Sequence, residues 1–207
     1  MNYNLDKIFE NFSPYINGSE DMKKYSVLIP LIEKDNKTHV LFEVRSKTMR
    51  SQPGEVCFPG GRIEKNEAPL AASIRETCEE LGISTADIEV VSPLDLVVSP
   101  FNFIIHPYVG RIKNINYLNI NIDEVSHTFL VPLDFLLDYK PLEYINTISV
   151  NRSNDFPFNL IGNPNYKFKT APYPTQFYIY NDYVIWGLTA KILTNFLKVF
   201  KNNINLN

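Results

Sequence analysis

The sequence predicts an α/β fold on three observations. Six runs with strand character are spaced along the chain between residues 25 and 131, a helix with its own start and stop signals interrupts them at Pro69 to Leu81, and a helical apolar stripe lies near the carboxyl end. Ahead of the first run, Leu5, Ile8, Phe9 and Phe12 repeat at helical spacing and predict a short leading helix. That helix packs either on the domain or on a second subunit of a homodimer.

The strand-like runs are Tyr25 to Ile32, Val40 to Arg45, Glu55 to Phe58, Ile88 to Val98, Phe103 to Ile112 and Glu124 to Val131. In the central helix Pro69 suits the first turn, and Leu70, Ile74, Cys78 and Leu81 recur at near-helical spacing, which predicts an apolar stripe against the core. Gly82 stands where a left-handed residue ends a helix. The stretch Asn146 to Pro174 is rich in Asn and Pro and reads as loops and short strands, an insertion on the substrate side. Ile185, Leu188, Thr189, Ile192, Leu193, Phe196, Leu197 and Phe200 mark the terminal helix, with Lys191 and Lys198 outside the stripe. The expected organisation is a helical extension over 1–22, one domain over 23–200 and a frayed tail over 201–207.

Composition narrows the function classes. With 44% hydrophobic residues over 207 positions the chain can bury a substantial core. A net charge of −3 without a Lys/Arg run lacks the electrostatic footprint of a nucleic-acid binder. There is no basic segment followed by an apolar run, and no apolar stretch of membrane-spanning length, so the expected location is cytoplasmic and away from membranes. Cys57 and Cys78 lack C-x-x-C spacing, which predicts packed thiols. His39, His106 and His127 show no triad pattern and are assigned structural roles.

The chemistry is concentrated between Gly61 and Ile83. Glu76, Glu79 and Glu80 are helix-surface neighbours at i, i+3 and i+4. At an effective dielectric near 20, like charges roughly 5–6 Å apart repel by about 3 kcal/mol per pair, so the three ionised carboxylates need a cation. A hard divalent ion, Mg²⁺ or Mn²⁺, suits such oxygen ligands and commonly joins them to substrate phosphates. Taken alone, the same residues also fit a solvated acidic helix face. The segment before the helix favours the first reading, because Phe58-Pro59-Gly60-Gly61 turns a strand into a glycine bend that lets backbone groups approach a ligand closely.

Gly61, Glu67, Arg75, Glu76, Glu79, Glu80, Gly82 and Ile83 resemble the Nudix box, G-x5-E-x7-R-E-U-x-E-E-x-G-U, with U a bulky apolar residue. Thr77 departs from it by occupying a U position. Upstream, the run from Leu41 to Gly61 is similar to the coenzyme A pyrophosphatase pattern L-L-T-x-R-S-x-x-M-R-x-x-x-G-x-V-x-F-P-G-G. It keeps Arg45, Ser46, Met49, Arg50, Gly54, Val56 and Phe58 and departs at Phe42 and Glu43. Glu124-Val125 leading to Val131-Pro132-Leu133, and Ile185 to Ala190, also look like that subfamily, so the resemblance spans most of residues 25 to 197. It implies an α/β/α sandwich around a mixed β-sheet, which suits strands with one central and one terminal helix.

The same resemblance implies the roles. Glu76, Glu79, Glu80 and the Gly60 carbonyl hold Mg²⁺ or Mn²⁺; Arg75 orients a glutamate; Glu124 serves as an additional ligand or base. Arg45, Ser46, Arg50, Gly54, Phe58, Gly60 and Gly61 form the substrate-binding set. The two arginines can supply charge-assisted hydrogen bonds to phosphate, or else pair with Glu43 and Glu55. The expected partner is a small molecule, coenzyme A or a derivative, cleaved to 3′,5′-ADP and 4′-phosphopantetheine. The alternatives are another nucleoside diphosphate derivative such as ADP-ribose or NADH, or a ligand-sensing module without turnover.

Overall fold

The computed structural model describes residues 15–113, 115 and 118–204, with Asn4, Lys7, Glu10, Asn11 and Ser13 ahead of them. Leu5, Ile8, Phe9 and Phe12, on which the leading helix rests, lie outside the described residues. Eight strands form the main sheet: β1 (Lys23–Lys34), β2 (Lys37–Arg45), β3 (Val56–Cys57), β4 (Gly60–Arg62), β5 (Ile88–Pro93), β6 (Val97–Ser99), β7 (Phe103–Ile112) and β8 (Val125–Pro132). Their central order is β3-β2-β1-β7-β5, with β4 on β1, β6 on β7 and β8 on β2. Only the β1–β7 pair is parallel, which makes the sheet mixed. A second sheet has the order β11-β10-β9, from β9 (Leu142–Ile148), β10 (Ala171–Tyr180) and β11 (Tyr183–Trp186). The helices are α1 (Pro69–Leu81), α2 (Leu133–Asp138) and α3 (Gly187–Ile204).

Local chemistry accounts for the turns that hold this sheet in register. Asp35 and Asn36 both have positive φ between Lys34 and its partner Lys37, the geometry that a two-residue hairpin turn asks of Asn and Asp. Alternation along β2 then divides its side chains. Val40, Phe42 and Val44 join the large cluster with Ile192, Leu193, Phe196 and Leu197 of α3, whereas Leu41 joins Ile32, Ile112 and Leu81 of α1. The two helices therefore cover opposite faces, and the α/β/α layering follows. Phe42 is fully buried and stacks between Phe58 at 4.9 Å and Phe129 at 5.5 Å; burial of such a side chain contributes about 1.5–3 kcal/mol.

Several expectations need correction. The stripe Leu70, Ile74 and Cys78 does not face the core: Leu70 is exposed and the other two are half-buried. Ala72, Ser73, Thr77, Glu80 and Leu81 form the buried face of α1 instead. Small residues let the helix lie close over β1 and β4, and the Thr77 hydroxyl is satisfied by donating to the Ser73 carbonyl at 2.6 Å, so the departure from the box pattern packs without cost to hydrogen bonding. The run Ile88 to Val98 divides into β5 and β6, separated by Leu94-Asp95-Leu96. Ile185 belongs to β11, because Gly187 with φ +62° starts the helix only after the strand ends. The helix continues through Lys201–Ile204, four residues into the segment expected to fray; residues 205–207 lie outside the described ones. The short α2, held by buried Leu133 and Leu136, was not anticipated. Among the described residues no helix is long and apolar enough to cross a membrane.

Candidate active site

Two consecutive glycines open β4, each for a different steric reason. Gly60 has φ +149°, and a Cβ there would meet the Ser26 carbonyl oxygen and the Val27 backbone. Gly61 lies against the Glu76 carboxyl, which occupies the space a Cβ would need. The Gly60 N–H donates to Glu80 Oε2 at 2.7 Å. The bend thus accommodates two carboxyls of α1, one through a missing side chain and one through a backbone donor.

The far end of α1 is fixed by its cap. Gly82 is left-handed with φ +65°, its N–H reaches the Cys78 carbonyl at 2.9 Å, and a Cβ would strike the Asn119 backbone. The following loop returns to the helix, with Asn119 N–H on the Leu81 carbonyl at 3.0 Å and Asn121 N–H on the Glu80 carbonyl at 2.9 Å. Asn121 Nδ2 also donates to Glu124 Oε2 at 2.9 Å. The loop that closes the helix therefore positions Glu124 immediately before β8.

Arg75 organises the outer carboxylates. Its Nε and Nη2 form a fork on Glu67 at 2.8 and 3.1 Å, and Nη1 touches Glu76 at 2.9 Å and Glu79 at 3.1 Å. Nη2 also donates to the Arg62 carbonyl at 3.2 Å, which ties the helix to β4. The hydrogen bond from Arg75 holds the Glu67 carboxyl below its usual range, and Glu67 in turn raises the guanidinium. Part of the cation demand of the acidic row is met in this way. The row is also less uniform than helical spacing implies, since Glu80 is buried, Glu76 is half-buried and Glu79 is exposed.

Burial pushes the Glu80 carboxyl up to about 8, and the charges of Glu76 and Glu124 add to the rise while the Gly60 N–H opposes it. Burial likewise raises Glu76, with the charges of Glu79 and Glu124 adding while Arg75 opposes. One residue of this cluster was missed in the sequence except as a motif departure and a partner for Arg45: Glu43 on β2. It is 1% exposed, and neither carboxylate oxygen has a hydrogen-bond partner among the described residues. Burial raises its pKa first, followed by the charge of Glu80, with Arg45 opposing and Glu124 adding. The available signal was a lone acid inside the apolar run Leu41-Phe42-Glu43-Val44.

Among the described residues no three Asp, Glu, His or Cys side chains already stand as a metal cage. The donor set nonetheless fits a hard cation. It consists of carboxylate oxygens, Glu43 lacks any protein partner, and Glu80 uses only its Oε2 on the Gly60 N–H. A stability prediction follows for the metal-free protein. Glu80 rises from 4.5 to about 8 on folding, so between those values the folded state binds more protons than the unfolded state and stability falls as pH rises. The melting temperature in EDTA should decline from pH 5 to 8.5, and added Mn²⁺ should raise it most at the alkaline end. A flat or rising profile in EDTA would contradict the carboxylate burial.

The upstream motif borders this cluster. Arg45 ends β2 at a bulge against β8, its N–H reaches the Glu55 carbonyl at 2.9 Å, and its carbonyl accepts from Gly54, which takes φ +75°. Its guanidinium donates to the Ser51 carbonyl through Nε and Nη2, each at 3.3 Å. Ser46 is buried, and its N–H donates to the Glu124 carbonyl at 2.8 Å, which ties the arginine loop to the acid cluster. Among the described residues neither Arg45 nor Arg50 makes an ion pair within 4 Å; Arg50 is exposed. Phe58 departs from its expected substrate role: its ring is 4% exposed and belongs to the core stack. The segment between β9 and β10 packs aromatic rings on one another, Phe156 on Phe158 and Phe168. A cavity of about 420 Å³ lies away from the acids, bounded by Leu31, Val109, Phe196 and Phe200.

A glycine bend, a carboxylate helix and a mixed sheet between two helical layers define a hydrolase of phosphoanhydrides. The chain belongs to the Nudix family, whose hydrolases act on pyrophosphate bonds: residues 22–143 match the NUDIX domain. Among its relatives is Nudix hydrolase 3 of Caenorhabditis elegans, 30% identical over 193 residues, which cover 91% of this chain and 78% of that protein. Peroxisomal coenzyme A diphosphatase NUDT7 of Mus musculus is 32% identical over 170 residues, covering 82% of this chain and 66% of the mouse protein. The Nudix hydrolase NudL of Photorhabdus laumondii is 31% identical over 176 residues, covering 84% and 83%.

Proposed function

We propose that this Nudix hydrolase cleaves the pyrophosphate of coenzyme A or its derivatives, releasing 3′,5′-ADP and 4′-phosphopantetheine or its acylated form. The observation that carries this reading is the bond from Ser46 N–H to the Glu124 carbonyl, which holds the arginine loop beside the acid cluster. The similarity to a coenzyme A diphosphatase supports the substrate class.

Glu76, Glu79, Glu80 and the Gly60 carbonyl would hold Mg²⁺ or Mn²⁺. When bound, such an ion neutralises charge on the pyrophosphate and lowers the pKa of a coordinated water. Glu80 must release its proton to ligate, which its raised pKa opposes and a cation favours. Arg75 holds Glu76 and Glu79 in place from one guanidinium nitrogen, leaving their remaining oxygens for the cation. Glu124, held by Asn121, would serve as an added ligand or as the base that takes a proton from the attacking water. Arg45 and Arg50, neither of them in an ion pair, would take the substrate phosphates.

Product analysis across coenzyme A, acetyl-coenzyme A, ADP-ribose and NADH, with Mn²⁺ or Mg²⁺ present, tests this. The expected order places coenzyme A or its thioester at least tenfold above the others in kcat/KM. Arg45→Ala should lower kcat/KM for coenzyme A by about 10- to 100-fold, for the loss of about 1.5–3 kcal/mol from a charge-assisted contact, and should affect ADP-ribose less. Equal rates on all four substrates would move the assignment to nucleoside diphosphate derivatives in general.

A further inference from the structure

We propose that Glu43 is an inner carboxylate ligand of the divalent cation, brought to the glutamates of α1 from the neighbouring strand β2. The inference rests on the reading that the acid cluster binds such a cation, and it adds a ligand that neither the box nor the upstream pattern contains. At this position the coenzyme A pyrophosphatase pattern carries threonine, so the acid is a property of this chain.

In register, Glu43 stands opposite Cys57 of β3 and Thr128 of β8, and alternation along β2 sends it toward the same face as Leu41, which packs on Leu81 of α1. That face carries the acid row. Glu43 is 1% exposed, yet among the described residues neither of its oxygens receives a hydrogen bond. A buried carboxylate without partners costs several kcal/mol, and a neutral carboxylic acid here would still have an unpaired hydroxyl and carbonyl. Neither protonation state is therefore satisfied by the protein alone.

None of the described neighbours donates to Glu43. The Cys57 thiol is held protonated by burial and by the charges of Glu43 and Glu80, and no hydrogen bond joins it to the carboxylate. Arg45 is the cation that acts on Glu43, but among the described residues it forms no ion pair with it within 4 Å; two of its N–H groups go to the Ser51 carbonyl. Glu80 and Glu124 add negative charge of their own. A buried, unpaired acid that feels the charges of two others is what a divalent cation satisfies, because one ion can draw an oxygen from each.

The test measures cation binding directly, apart from turnover. Mn²⁺ is titrated into the full chain by calorimetry, with free Mn²⁺ followed by electron paramagnetic resonance, for wild type, Glu43→Gln, Glu43→Thr and Glu80→Gln. Melting temperatures are recorded for each in EDTA and in Mn²⁺. Both Glu43 variants should bind Mn²⁺ about tenfold or more weakly and show a smaller Mn²⁺-induced rise in melting temperature. In EDTA they should melt at or above the wild-type temperature, because an unpaired buried acid has been removed. Should Glu43→Gln fail to fold, the smaller Glu43→Thr still reports. Mn²⁺ affinity and thermal shift within twofold of wild type in both variants would overturn the assignment while leaving the cation reading intact. Wild type that binds no Mn²⁺ would overturn both. Glu43-dependent Mn²⁺ binding in an enzyme that leaves coenzyme A uncleaved would support the ligand and overturn only the substrate.

Discussion

Glu80→Gln should abolish metal-dependent turnover and leave the fold intact. The substitution retains an oxygen that can accept the Gly60 N–H, so the bend that Glu80 Oε2 holds at 2.7 Å keeps its hydrogen bond. What is lost is the negative charge at the most buried acid of α1. If a bound cation contributes several kcal/mol to the transition state, its loss lowers kcat by about 10³-fold. The circular dichroism spectrum should match wild type, and the melting temperature in EDTA at pH 8 should be equal or higher, since an acid whose pKa is pushed to about 8 no longer has to ionise. Glu79→Gln makes a useful contrast, because Glu79 is 54% exposed and shares Arg75 with two other carboxylates; its loss should cost less. A near-normal rate for Glu80→Gln would refute the role assigned to that residue.

Gly60→Ala should cost far more stability than Gly61→Ala, the change at the next residue. The new Cβ would lie 2.6 Å from Val27 Cα and even closer to the Ser26 carbonyl, both of them backbone of β1, the strand at the centre of the sheet. Backbone strain at φ +149° adds to this clash. Each effect costs about 1–3 kcal/mol, giving roughly 3–5 kcal/mol together. For a chain of 207 residues that corresponds to a fall in melting temperature of about 10 °C. Gly61→Ala separates the two glycines. The atoms nearest its Cβ all belong to the Glu76 carboxyl, the far end of a flexible side chain, so it should disturb stability less while displacing a carboxylate from the site. A scanning calorimetry comparison decides the matter, and equal melting temperatures for the two variants would contradict the account.

The pattern from Gly61 to Ile83 made the helix, its proline start, its glycine end and its acids readable, because each depends on residues a few positions apart. Glu124 could be named from its position alone, but its approach to the cluster depends on Asn121 bridging the end of α1 and the start of β8. The buried side of α1 differs from the side its apolar period marks for a related reason. Helical period identifies faces, yet which face lies down depends on how closely the partner strands approach, and here small Ala72 and Ser73 permit a contact that larger residues would prevent. Phe58 likewise read as a substrate contact within a motif, whereas stacking on Phe42 across the β2–β3 pair commits its ring to the core.

The sequence by itself determined the α/β class, the family and the identity of the acids on α1, since local spacing and residue chemistry encode all three. Only the tertiary structure decided which carboxylates are buried, that Arg75 gathers three of them, and that Glu43 joins them from β2. The reason is physical: a carboxylate's pKa and pairing depend on the dielectric and the charges within a few ångströms, and those neighbours come from strands and loops distant in the chain.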